Sequence, residues 1–147
     1  MADSKVVNKK DSPKTTLHDL FKTDRNKETK GIVLDYGDVK ITIARAGGSN
    51  KSFAKEMEKL TKPFRRQIQN GTLPDKTADI ILKKAYAKHI ILDWDGVVDD
   101  KDNPIPCTEE NIIRLFDDLP DFFNDIQEQS RSASLFRDEE IEESAKN

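Results

Sequence analysis

Apolar residues follow a two-residue period in the region from 31 to 47. The alternating residues are Val39, Ile41 and Ile43. They come after the apolar run 32–34 and the turn-like segment 35–38, which contains a glycine. This pattern predicts a β-hairpin over residues 31–47. Because an isolated hairpin is marginally stable in water, it must lie on a layer of helices or pair with another copy.

After residue 50 the apolar period becomes helical. One face of the first predicted helix carries Phe53, Met57, Leu60, Phe64 and Ile68. Pro63 is expected to kink this helix or to begin a new one, and Asn70-Gly71 is expected to end it. A second helix begins at Pro74, and its apolar stripe continues without a break to Leu92. We therefore predict a helix, and not a strand, immediately before Asp93.

The last third of the chain contains two further helical patterns. Thr108 is a suitable N-cap for the first, and Glu109 and Glu110 lie in its first turn, where the helix dipole favours anions. Leu119-Pro120-Asp121 begins the second. Together these patterns predict an α+β fold, mostly α, in which an N-terminal β-hairpin is followed by a bundle of about four to five short helices.

The same patterns predict three regions. Residues 1–30 are expected to form a disordered or loosely attached arm, with residues 22–30 in a loop, because they are polar. Residues 31–130 form a single globular domain, with the hairpin at 31–47 and helices at 50–130. Residues 131–147 form a charged, partly helical tail.

Charge is divided unevenly along the chain. The whole chain carries a net charge of −3, but residues 51–90 contain ten Lys/Arg and four Asp/Glu, whereas residues 91–147 contain five and seventeen. Such a basic middle and acidic end attract each other within one chain or between copies. Self-association is therefore predicted, either through this attraction or through the edges of the hairpin.

Several classes of protein are excluded or disfavoured by composition. The single cysteine, Cys107, cannot form an internal disulfide or a cysteine-based zinc cluster. No apolar run approaches 18 residues and the N-terminus lacks the core of a signal peptide, so we expect no membrane partner. The basic cluster at residues 62–66 is a weak signal of nucleic-acid binding, and the acidic C-terminal third would repel DNA. We expect no nucleic-acid partner.

The segment Asp93-Trp94-Asp95-Gly96-Val97 resembles the nucleophile motif of haloacid-dehalogenase-type phosphatases. That resemblance implies Asp93 as the nucleophile and Asp95 as the acid/base. Such a nucleophile lies at the carboxyl end of a strand in a parallel sheet. Because a helix is predicted immediately before Asp93, we expect no such strand there. Neither Asp93 nor Asp95 begins a calcium-binding loop with glycine at its sixth position and glutamate at its twelfth. We predict no catalytic residue, no metal and no cofactor.

Large apolar residues are predicted to take two roles. Trp94, Phe64, Tyr86 and Phe116 are candidates for structural anchors because they lie in apolar helical stripes or, for Trp94, at the end of one. Phe122, Phe123, Leu135 and Phe136 are candidates for binding a protein partner.

Residues 53–147 resemble the tail assembly chaperones of long-tailed bacteriophages. The segments that carry the resemblance include Leu92-Asp93-Trp94-Asp95-Gly96-Val97, Asn103-Pro104-Ile105-Pro106, Thr108-Glu109-Glu110-Asn111 and Leu119-Pro120-Asp121-Phe122. Their order and spacing, more than any single segment, are similar to that family.

The resemblance implies a non-enzymatic function. Members of that family bind and solubilise the tape measure protein and help to recruit tail tube subunits. They act in the host cell cytoplasm and are absent from the mature virion. Two alternative functions stay open: a virion structural protein of the tail or neck and, less favoured, a small Asp-based phosphatase.

Overall fold

The computed structural model describes residues 14–138, in which seven α-helices accompany one three-stranded antiparallel sheet. The helices are α1 (Leu17–Phe21), α2 (Arg25–Lys30), α3 (Lys51–Thr61), α4 (Arg65–Gln69), α5 (Asp75–His89), α6 (Glu109–Asp118) and α7 (Pro120–Arg131). The strands are β1 (Ile32–Asp35), β2 (Lys40–Ile43) and β3 (Ile91–Asp95), and short 3-10 helices cover Lys62–Phe64 and Ala133–Phe136. The predicted fold class is confirmed. Expectations for residues 1–13 and 139–147 lie outside the described residues.

Strands β1 and β2 form the predicted hairpin. Leu34 pairs with Ile41 across it, and the Asp35 carboxylate accepts a hydrogen bond from the Gly37 N–H at 2.8 Å. The Tyr36 N–H donates to the Val39 carbonyl at 2.9 Å and closes the turn. The side chains of Leu34, Ile41 and Ile43 are buried on one face of the sheet, as the two-residue period requires.

The prediction of a helix immediately before Asp93 is wrong. Helix α5 ends at His89, and Ile91–Asp95 is a strand that pairs antiparallel with β2, Ile41 lying opposite Trp94. The hairpin is therefore completed by a third strand from the same chain. Pairing with β2 satisfies the backbone of β3, and this tertiary contact outweighs the local helical period that continues to Leu92.

Helix α5 covers the buried face of the sheet and joins it to the other helices. Tyr86 and Ile90 lie in the core, and the Tyr86 ring makes edge-to-face contacts with Phe53 of α3 and Phe123 of α7, at centroid distances of 5.3 and 5.5 Å. Pro63 lies in the 3-10 helix between α3 and α4, which confirms the predicted interruption. The core thus lies between one face of the sheet and the helices that pack on that face.

Helices α6 and α7 complete this helical layer. Thr108 is the N-cap of α6, and its hydroxyl accepts a hydrogen bond from the Asn111 N–H at 3.2 Å, as predicted. Phe116 of α6 is fully buried and packs against Phe123, with 4.5 Å between ring centroids. Lys83 of α5 reaches Asp117 of α6 at 2.8 Å and so links the two helices.

The loop predicted for residues 22–30 is wrong, because Arg25–Lys30 forms α2. The Asp24 carboxylate caps this helix by accepting a hydrogen bond from the Asn26 N–H at 2.8 Å. On its inner side Glu28 is buried, 2.5 Å from Arg45. The Asp24 N–H also donates to the carbonyl of Phe136, so this segment contacts the chain near residue 136.

Candidate partner-binding groove

An apolar groove opens between the end of the sheet and the junction of α6 and α7. Its cavity volume is about 280 Å³, and every lining residue is apolar or glycine. The lining residues are Val39, Ile41, Trp94, Gly96, Val97, Val98, Leu115, Leu119 and Phe122. An apolar cavity of about 150 Å³ already accommodates a benzene-sized group, so this groove has room for an aliphatic or aromatic side chain of a partner.

Two hydrogen bonds hold the walls of the groove. The Trp94 indole N–H donates to the Ile105 carbonyl at 2.8 Å, which fixes the ring and the loop that follows β3. The Tyr36 hydroxyl donates to the Asp125 carboxylate at 2.5 Å and joins the hairpin turn to α7. Burial, followed by this contact with Asp125, raises the pKa of the Tyr36 hydroxyl above its ordinary value of 10.0, so the hydroxyl remains a hydrogen-bond donor even in alkaline solution.

Gly96 allows the loop to leave β3 beside the hairpin turn. Its φ is +79°, a conformation that costs other residues energy, and a Cβ there would collide with the Asp38 carbonyl oxygen. The close approach brings Val97 and Val98 to the groove.

Leu119 is the most exposed apolar residue of the groove, with 51% of its surface accessible, and Val98 is 45% exposed. Leu119 is also the N-cap residue of α7, where no side chain makes a capping hydrogen bond. Ser, Thr, Asp and Asn are strongly preferred at this position, and an aliphatic residue loses about 1 kcal/mol relative to them. Leu119 supplies no such cap, and its exposed side chain extends the apolar surface of the groove beside Val98.

Acidic residues surround the groove along the chain. Six exposed aspartates are each next in sequence to a lining residue: Asp38, Asp93, Asp95, Asp99, Asp118 and Asp121. Asp93 and Asp95 flank Trp94 on β3 and leave the opposite face of the sheet, so the other four are the ones beside the groove. Lys40 and Arg114 are the basic residues in such positions. Backbone N–H groups of Asn103 and Lys101 donate hydrogen bonds to the Asp99 carboxylate and lower the pKa of its carboxyl below the ordinary value of 3.8. The groove therefore favours an apolar partner that carries positive charge.

The structure brings together only part of the predicted residues. Trp94 and Phe122 both line the groove, and Phe122 packs on Phe116 with 5.4 Å between centroids. Tyr86 and Phe116 are buried in the core, whereas Trp94 and Phe64 are half-buried. Phe64 does not line the groove.

The assignment of Phe123 and Phe136 to partner binding is corrected. Their exposed fractions are 5% and 0%, because Phe123 packs between Tyr86 and Phe116 and Phe136 is enclosed after α7. Neither side chain is accessible on the folded chain. Leu135 is partly buried against the core, and its role in partner binding stays a prediction.

Asp93 and Asp95 lie on β3, and both are exposed. They flank Trp94 in the strand, so their side chains leave the opposite face of the sheet from the groove. The sheet is antiparallel, unlike the parallel sheet of the phosphatases that the motif resembles. Within residues 14–138, no three His, Cys, Asp or Glu side chains are grouped so that they could bind a metal ion.

Sequence reasoning missed the residues that make the groove open. Val98 lies in a loop and Leu119 lies between two helices, so neither belongs to an apolar helical stripe. One signal was present: a leucine directly before Pro120, at a position that usually carries a polar cap. Among the helices of residues 14–138, none combines the length and apolar character needed to cross a membrane.

Comparison with known proteins gives one family. The sequence model of the family described as YdaY prophage protein matches residues 48–147. No curated protein and no solved structure matches the chain. The matched region includes α3 to α7, β3 and every groove residue except Val39 and Ile41. The chain therefore belongs to the YdaY prophage protein family and is derived from a phage.

Proposed function

We propose that this protein is a tail assembly chaperone that binds apolar helical segments of the tape measure protein in the groove and keeps them soluble. The observation that carries the proposal is the open groove, whose lining is entirely apolar and which includes the exposed Leu119 and Val98. Membership of a prophage family supplies the context. The similarity to tail assembly chaperones lies in segments that include Trp94 and Leu119, which are groove residues.

The chemistry of the groove suits such a client. An amphipathic helix places apolar side chains at i, i+3 and i+4 on one face, and burial of that face in a groove releases water from both surfaces. The aspartates beside the lining residues remain in solvent and keep the complex soluble. Binding without covalent chemistry also lets the client leave, as an assembly factor requires.

The proposal extends to the place of action. We propose that the protein acts in the host cell cytoplasm, helps to recruit tail tube subunits to the tape measure protein, and is absent from the mature virion. Mass spectrometry of purified particles tests the last point. Stoichiometric amounts of the chain in mature particles would favour the alternative of a structural protein of the tail or neck.

Co-expression with the tape measure protein of the same prophage tests the groove directly. We expect the wild-type chain to keep the tape measure protein in the soluble fraction and to co-purify with it. Leu119→Asp should abolish both effects because it places a carboxylate in the apolar groove. Its folding should be retained, since aspartate is a favourable N-cap residue for α7.

Leu17→Asp is the matched control. Leu17 is 73% exposed on α1 and does not line the groove, so the same chemical change should leave co-purification unchanged. Equal loss in both variants would point to general surface stickiness, and equal retention in both would remove the groove from the function.

A further inference from the structure

We infer that, before a client binds, the groove is occupied by the basic segment of a second copy of this chain. The basic segment is defined as residues 62–69, which comprise the 3-10 helix Lys62–Phe64 and helix α4. The inference depends on the groove and not on the identity of the client. Self-association would then join the groove of one copy to the basic segment of the next, in a head-to-tail arrangement.

The basic segment carries charge and apolar surface together. Lys62, Arg65 and Arg66 are exposed, and residues 62–69 contain no acidic side chain. Ile68 is 45% exposed and Phe64 is half-buried four residues before it. Residues four apart share one side of a helical segment, so these two side chains form a small apolar ridge with cations beside it.

This surface is complementary to the groove in both respects. The groove supplies an apolar cavity of about 280 Å³, and aspartates are next in sequence to its lining residues, including Asp118 and Asp121 on either side of Leu119. An apolar ridge with three cations matches an apolar cavity among carboxylates. None of the residues that line the groove comes from residues 62–69 of the same chain, which leaves the segment to a neighbouring copy.

The contact joins two different surfaces and is therefore heterologous. A pair of copies joined by such a contact still offers one free groove, on one copy, and one free basic segment, on the other, so further copies add head to tail into short chains or rings. The contacting surfaces are small, which gives a weak association that a longer client helix can displace. Self-association would then cover the exposed leucine and valine of the groove until the client arrives.

A complementation experiment tests this arrangement with the full chain. Ile68→Asp damages the basic segment and leaves the groove intact, whereas Leu119→Asp damages the groove and leaves the basic segment intact. Both side chains are about half exposed, so both variants should keep the wild-type circular dichroism spectrum. Ile80→Asp, at an exposed position of α5 outside both surfaces, is the control.

Sedimentation velocity at about 0.05 M salt gives the readout, since charge attraction is strongest there. We expect the wild type and Ile80→Asp to associate, each of the other variants alone to be monomeric, and their equimolar mixture to form a one-to-one dimer that grows no further. The dimer should weaken at least tenfold at about 0.5 M salt.

Three results would overturn the inference. They are a monomeric wild type up to about 1 mM, undiminished association of Ile68→Asp, and a mixture that stays monomeric. Ile68→Asp should still keep the tape measure protein soluble. A wild type that stays monomeric but still binds the client would therefore overturn the inference and leave the proposed function standing. Client binding that is unchanged in Leu119→Asp would instead refute the proposed function.

Discussion

Two depressions in the surface of this protein differ in whether their lining residues already bind one another. The N-terminal pocket, between α1, α2 and the residues around Gly48, has a volume of about 580 Å³, twice that of the groove. Its lining includes Glu28 and Arg45, which form an ion pair at 2.5 Å. No charged residue lines the groove, so its lining contains no such ion pair.

The difference shows why the smaller depression is the better candidate for a binding site. Glu28 is 1% exposed, and it also accepts a hydrogen bond from the Ser49 N–H at 3.3 Å. Its polar atoms are already engaged in holding α2 to the segment after β2. The N-terminal pocket also exposes apolar surface at Leu17 and Phe21, but the lining of the groove is apolar throughout, and a partner can cover it at a gain of about 25 cal/mol per Å².

The largest expected effect is a loss of stability on mutation of the N-terminal pocket, with no effect on the groove. Glu28→Ala should lower the free energy of unfolding by about 3 kcal/mol, because it leaves the Arg45 guanidinium without its buried partner. Urea unfolding measures the loss. Client binding under native conditions should not change, and a variant that is fully stable would show that the pair does not hold the N-terminal segment.

Removal of one hydrogen bond beside the groove should have a smaller effect. Trp94→Phe keeps an aromatic ring but removes the donor to the Ile105 carbonyl, at a cost of about 1 kcal/mol. The affinity for the client should fall only slightly, since the ring remains apolar. Thermal unfolding and a binding titration check the two parts, and an unchanged midpoint would mean that the bond contributes nothing.

The same comparison predicts a difference in pH dependence. Burial alone would raise the pKa of the Glu28 carboxyl, but the hydrogen bonds from Arg45 and Ser49 outweigh burial and lower it. A group with a lowered folded-state pKa stabilises the fold above its unfolded value of 4.5, and this stabilisation is lost as the pH falls through the folded-state pKa. Wild type should therefore lose stability below about pH 4.5 more steeply than Glu28→Gln. Parallel profiles for the two proteins would contradict this.

The outer face of the sheet should give the smallest effect. Asp93→Asn changes an exposed side chain that leaves the sheet away from the groove, so stability should shift by less than about 0.5 kcal/mol. Co-purification of the client should be unchanged. Mg²⁺-dependent phosphatase activity in the wild type that Asp93→Asn abolishes would instead support the enzymatic alternative.

Local patterns predicted most of the fold but only part of the groove. The hairpin, the Thr108 cap and the break at Pro63 depend on a few adjacent residues, and all three were predicted. Strand β3 depends on pairing with β2, about 50 residues earlier in the chain, and the helical period up to Leu92 concealed it. The alternation of Asp93, Trp94 and Asp95 was the available signal.

The burial of individual phenylalanines also depends on tertiary packing. Phe122 and Phe123 are adjacent on α7, yet Phe122 reaches the groove while Phe123 enters the core. A helix turns about 100° per residue, so neighbours lie on different faces, but the sequence does not state which face meets the sheet. The sequence indicated Trp94 as a structural anchor, from its place at the end of an apolar stripe, and Phe122 as a partner-binding residue, whereas Val98 and Leu119 required the fold.

Trp94 provides the most direct test of the central claim, that the groove binds the client. It is the only tryptophan in the chain and it lines the groove, so indole fluorescence reports on that site alone. A tryptophan-free amphipathic fragment of the tape measure protein should shift the emission to shorter wavelength and protect it from iodide quenching, with saturation. Leu119→Asp should remove the shift and Leu17→Asp should retain it. Saturable binding by calorimetry that leaves the Trp94 emission unchanged would contradict the account.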